Sequence, residues 1–173
     1  MKVIRKLAIC AALTAAFLFG AAAPSYAQAT PIAHGHLTGG PSPAGGPTAV
    51  DLTFSLVKLP DGSLVGHGKS TNQAASGWFT YELSSYMVLD GTFYAAGTIT
   101  ATHNTGGNFA IGDTYFVAVK DNGNGNGPVM DEFIEGHVPA MFGTLTIQQI
   151  IAIIGPPPPA IFRQGISGNI TFH

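Results

Sequence analysis

Along most of this chain, apolar and polar side chains alternate one for one. Val50, Leu52, Phe54 and Leu56 alternate with Asp51, Thr53 and Ser55, which is the period of a half-buried strand. Pro60-Asp61-Gly62-Ser63 then turns the chain, Pro presetting its own φ and Gly accepting a positive one, so Leu64 to Ser70 returns as a hairpin partner. Phe79, Tyr81 and Leu83 oppose Trp78, Thr80 and Glu82 in a strand over 77–83, which Ser85 to Leu89 extends. In the segment 93–103, Phe93, Ala95, Ile99 and Ala101 take one face and Thr98, Thr100 and Thr102 the other. After the turn Asn104-Thr105-Gly106-Gly107-Asn108, further strands are predicted over 114–120, 132–138 and 168–172.

One segment breaks that period. Ile147, Ile150, Ile151 and Ile154 fall at helical spacing, Thr146 and Gln149 have the spacing of a capping box, and Gly155 followed by four prolines stops the run. The expected fold is therefore all-β, an antiparallel β-sandwich or barrel with one short helix in the C-terminal half, capping an open end or edge.

The first 48 residues read differently. Lys2, Arg5 and Lys6 precede an apolar run from Leu7 to Ala23, and Ser25-Tyr26-Ala27 has the small residues of a cleavage site, so residues 1–27 are expected to be a signal peptide and the protein to be secreted, periplasmic or extracellular. Removing the leader removes Cys10, the single cysteine, and with it any disulfide or thiolate chemistry. No membrane span is expected after that removal. Residues 28–48, with Gly39-Gly40, Gly45-Gly46 and four prolines, show no period and are read as a Gly/Pro-rich extended arm before a single β domain over 49–173.

Composition narrows the partners. The chain is 46% hydrophobic and only 9% charged, unlike a disordered segment. Beyond the leader, only Lys58, Lys69, Lys120 and Arg163 stand against nine carboxylates, which argues against nucleic acid.

Candidate chemistry is sparse. Gly68-Lys69-Ser70-Thr71 has the tail of a phosphate-binding loop but Ser63 where the leading Gly belongs, so it reads as a strand end. The loop from Asp121 to Asp131 offers oxygen ligands for calcium, yet Gly123, Gly125 and Asn126 occupy positions where an EF-hand needs other residues. His34 and His36 would project from one side of an extended arm and could chelate a metal together, whereas His67, His103, His137 and His173 are dispersed and could ligate one only by converging in the fold. Asp131, Glu132 and Glu135 read as a solvated strand edge rather than a paired acid and base. Trp78 with Tyr81, Tyr86 or Tyr94 could form a sugar platform, but Trp78 and Tyr81 alternate to opposite faces. The Thr98, Thr100, Thr102 row reads as an exposed sheet face. No catalytic residue, cofactor or metal is assigned.

The run Phe116-Val117-Ala118-Val119-Lys120-Asp121-Asn122-Gly123, then Asp131-Glu132-Phe133-Ile134, then Gly168-Asn169-Ile170-Thr171-Phe172-His173 resembles a group of small secreted bacterial β domains of unassigned function. In these a strand enters an Asp-Asn-Gly loop, an Asp-x-Phe strand follows, and a Gly-Asn-Ile strand ends in His. The stretch Thr146 to Arg163 is longer and more apolar than the plain turn of that pattern. The resemblance implies the β fold and no mechanism. The expected role is a secreted structural or protein-interaction module without catalysis, with the arm adding to the sheet edge of another copy or another exported protein. The alternatives are a β-barrel binding a small apolar molecule or carbohydrate, and a small hydrolase or isomerase. The last requires two or more titratable groups in one cleft.

Overall fold

The computed structural model describes residues 28–41, 49–123 and 130–173. The expected leader, residues 42–48 of the arm and residues 124–129 of the Asp121–Asp131 loop lie outside them. Among the described residues, eight strands follow one another as β1 (Thr30–Gly39), β2 (Val50–Lys58), β3 (Leu64–Asn72), β4 (Gly77–Leu89), β5 (Thr92–His103), β6 (Thr114–Lys120), β7 (Glu132–Val138) and β8 (Arg163–Phe172). Each pairs antiparallel with its successor, and β8 returns to β1 to close a barrel. Closure gives every strand a neighbour on each side, the β7–β8 seam being the shortest, and at eight strands the interior is just wide enough for side chains to fill.

The alternation of β2 holds to the residue: Leu52 and Leu56 are fully buried and Val50 and Phe54 nearly so. The expected sandwich-or-barrel class resolves to the barrel. Several segments depart from the expectation, among them β8, which begins at Arg163 where the pattern had placed a strand only over 168–172. Thr30–Gly39, read as part of an arm, is β1, paired with β2 on one side and β8 on the other. Its period was hidden because Gly35 and Gly39 stand at inward positions with no apolar side chain to mark them. A Cβ at Gly39 would come within 2.4 Å of the Phe133 ring, and the glycine makes room for that ring. Strand β1 already has a neighbour on each edge and so is not a free strand to add to another sheet. In β5 the register shifts where Thr80 faces Ala101 and Tyr81 faces Ile99. That bulge carries Thr102 to the face of Phe79, so the three threonines do not form one row.

The helix α1 (Ile147–Ile154) has the expected capping box, Thr146 accepting from the Gln149 backbone N–H while the Gln149 side chain accepts from that of Thr146. It covers neither end of the barrel. Ile147 and Ile150 instead pack on the outer wall against Tyr94, Ala96 and Ala118 with Phe162 beside them, a second apolar cluster separate from the lumen. This is why β5 is buried on both faces from Thr92 to Gly97. The insertion that carries α1, with flanking 3-10 turns at Ala140–Phe142 and Pro159–Ile161, joins β7 to β8. Those two strands pair only at Glu132 with Gln164 and Phe133 with Arg163.

Candidate functional site

Inward alternation stocks the lumen. One end is aromatic and dry: Phe93 stacks on Phe54, Tyr86 and Phe172 at centroid separations of 5.9, 6.1 and 5.6 Å. The other end, where β3 and β5 finish and β4 and β8 begin, opens into a cavity of about 420 Å³. Val50, Phe79 and Phe109 line it with Asn72 and Asn104, Trp78 is among its lining residues, and Ser70, Glu135 and Arg163 reach it from the strands.

Glu135 is the centre of that arrangement. It is two residues after the fully buried Phe133 on β7, so alternation carries it inward as well. Its Oε1 accepts from Ser70 Oγ at 3.1 Å, across the barrel from β3, and its Oε2 accepts from Tyr115 Oη at 3.2 Å, from the neighbouring β6. Burial raises its pKa above the ordinary carboxylate value, against the opposing pull of Ser70, the Arg163 charge and Tyr115. Burial depresses Arg163, with the Glu135 charge acting in the other direction. Arg163 Nη1 donates to the Gly40 carbonyl at 2.9 Å, which pins the first residue of β8 to the end of β1.

The phenols behind Glu135 are held neutral. Tyr81 and Tyr115 stack at 4.0 Å, and Tyr81 Oη donates to the Thr53 carbonyl at 3.2 Å. Burial pushes both well above the ordinary tyrosine value; the hydrogen bond between the two phenols opposes this at Tyr81, Tyr81 adds to it at Tyr115, and Glu135 adds to it at both. Tyr81 has room only because residue 68 is glycine: a Cβ there would lie 2.4 Å from the phenol ring.

Further toward the rim on β7, His137 Nδ1 meets Asp113 Oδ2 at 2.9 Å, and its ring lies 4.7 Å from that of Phe109. Burial works against the Asp113 charge, but the N–H groups of Ala110 and Ala140 together with His137 outweigh it and hold the carboxyl below its usual range.

The other candidates scatter. Asp131 is fully buried and takes the Asn122 and Ile170 backbone N–H groups at 2.9 and 2.8 Å, so it ties the start of β7 to its neighbours. Glu132 meets Lys120 at 3.7 Å and the Gln164 amide. The three carboxylates thus do not share an edge: two brace the wall and Glu135 enters the lumen. His34 and His36 stand on β1 in register with Thr171 and Asn169 of β8, His34 lies 6.4 Å from His173, His103 stacks on Trp78 at 5.7 Å, and His67 faces Glu82 in register. No group of three metal-ligating side chains comes together among the described residues. Of the proposed sugar platform, Tyr81 is in the lumen, Tyr94 lies in the outer cluster under α1, Tyr86 packs against the lumen core, and Trp78 sits at the cavity rim beneath Lys69. Gly68-Lys69-Ser70-Thr71 is the second half of β3.

Comparison with protein-family models, with curated proteins and with solved structures produced no match. No helix among the described residues is long and apolar enough to cross a membrane. The site is a vestibule of mixed polarity, Phe79 and Phe109 beside Asn72, Asn104 and Asn108, leading to one carboxylate and one guanidinium in a chain that carries four cations beyond residue 27.

Proposed function

We propose that this protein is an exported binding barrel that takes a small, flat organic molecule into its open end. The observation that supports it most is the placement of Glu135. Bringing a carboxylate into a lumen costs free energy that an apolar residue of similar size would not incur, and this one sits where a cavity meets it. Phe79 and Phe109 offer apolar faces to a planar body, while Glu135 accepts and Arg163 donates, so the matched ligand pairs a flat ring system with one polar group. The leader-like N-terminus supports export.

Trp78 is the single tryptophan and stands at the cavity rim next to the inward Phe79, so occupancy is expected to perturb its emission. Titration with 2-tetralone, a flat bicyclic ketone, is expected to change Trp78 emission saturably, and the matched hydrocarbon tetralin is expected to bind more weakly for want of an oxygen to meet Arg163. A linear, unsaturable response to both would overturn the reading.

The interaction-module reading keeps one observation in its favour. Beside α1, Val138, Phe142, Leu145, Ile150, Ile153 and Ile154 line an apolar groove of about 360 Å³ on the outer wall. Sedimentation of the protein and of Ile154→Lys tests it: a mass above the monomer that falls in the variant would support it.

A further inference from the structure

We infer that Glu135 is a proton carrier for carbonyl compounds, and that the open end of the barrel catalyses enolisation of a ketone whose oxygen Arg163 holds. This rests on the binding reading above and assigns a reaction to the same site. A carboxylate oxygen has two lone-pair directions, and Ser70 and Tyr115 each occupy one, on different oxygens. The carboxylate is thereby fixed in orientation while both oxygens keep acceptor capacity beside the cavity that Glu135 lines. Arg163 lines the same cavity, cannot itself give up a proton, and is suited to stabilise negative charge on an oxygen. An oriented base and a cation suited to stabilise an oxyanion, lining one cavity, are the two groups that abstraction of a proton next to a carbonyl requires.

The step balances within these groups. Glu135 takes the proton from the carbon beside the carbonyl, the C–H electron pair becomes the new C=C bond, and the C=O π pair moves onto the oxygen held by Arg163. The proton on Glu135 then passes to that oxygen, giving the enol, or returns to carbon. Nothing is oxidised or reduced. The raised affinity of Glu135 for its proton makes it a stronger base than a free carboxylate.

The test is deuterium incorporation at the benzylic carbon of 2-tetralone in D2O, followed by NMR, with Trp78 emission recording binding of the same compound. The protein is expected to accelerate exchange by about 100-fold or more over buffer. Glu135→Gln, which keeps an acceptor for Tyr115, is expected to lose the acceleration when the two proteins are compared at equal occupancy, the occupancy of each being set from its own Trp78 titration. Exchange by the unaltered protein should also rise with pH to a plateau, its midpoint above the ordinary glutamate range. The groups facing Glu135 are Ser70 on β3, Tyr81 on β4, Tyr115 on β6 and Arg163 on β8, with the His137–Asp113 pair further along β7. Binding without accelerated exchange overturns this inference and leaves the binding reading standing, whereas absence of both overturns both. Exchange that persists in Glu135→Gln, or a flat pH profile in the unaltered protein, removes Glu135 from the role even where the variant does not fold.

Discussion

The two ends of one barrel solve the same packing problem in opposite ways. At the closed end, Leu56, Leu83, Phe93 and Phe172 fill the cross-section with carbon, and three rings stack on Phe93. At the open end the positions that alternation turns inward hold Ser70, Tyr115, Glu135 and Arg163, and the space beyond them is left empty. The walls are of the same strands, so the difference lies in the polar inward residues that β3, β6, β7 and β8 place at the open end beside the apolar Val50 and Phe79. The closed end gains from burial of apolar surface; the open end gives some of that up to hold a carboxylate where solvent alone does not solvate it.

That contrast can be broken most sharply at Phe93. Truncation to Ala should cost about 3–5 kcal/mol, the range for a fully buried phenylalanine, read as the shift of a urea-unfolding midpoint at constant slope. A much smaller loss would mean that the closed end collapses around the gap and is not the rigid half.

Gly68→Ala strikes the junction between the halves. Its Cβ would meet the Tyr81 phenol at 2.4 Å, so an overpacking penalty of about 1–3 kcal/mol is expected, together with a displaced Tyr81–Tyr115 stack visible in near-UV circular dichroism. At the open rim, Asp113→Asn leaves the Ala110 and Ala140 N–H groups and His137 with fewer acceptors than they need, at about 1–3 kcal/mol. Because the Asp113 pKa is lowered in the folded state, its contribution is present above the ordinary aspartate range and fades as pH falls through the folded value. The cost of Asp113→Asn should therefore shrink in acid.

Glu135 gives the opposite slope. Its folded pKa is raised, so the folded state holds this proton more tightly than the unfolded chain does, and stability declines as pH climbs from below the ordinary glutamate range to above the folded value. Glu135→Gln should remove that decline, which thermal melts across the window would show as a flatter curve. The smallest effect belongs outside the barrel: Ile154 is 59% exposed, so Ile154→Lys should move folding stability by no more than about 0.5 kcal/mol in equilibrium unfolding.

Much of the wall was legible in the letters. The faces of β2, β4 and β6, and the helix with its box at Thr146 and Gln149, follow from period and spacing because each depends on neighbours a few residues away. Strand β1 was not, since Gly35 and Gly39 occupy inward positions and a missing side chain carries no hydropathy. The start of β8 was hidden in the same way behind the prolines, with Arg163 and Gly165 giving no apolar beat. Glu135 was half legible: its spacing from Phe133 points inward, but a glutamate among Asp131 and Glu132 reads as solvent-facing until its partners on β3 and β6 are known.

By itself, then, the sequence determined that alternating strands must hide one face and that a capped isoleucine helix interrupts them, because side-chain direction is a local property of φ and ψ. Closure into a barrel, the meeting of Ser70 with Glu135 over 65 positions of chain, and the seating of α1 on the outer wall were decided only by the tertiary structure. Those contacts depend on strand tilt and register around the whole circuit, which the pattern within one strand does not encode.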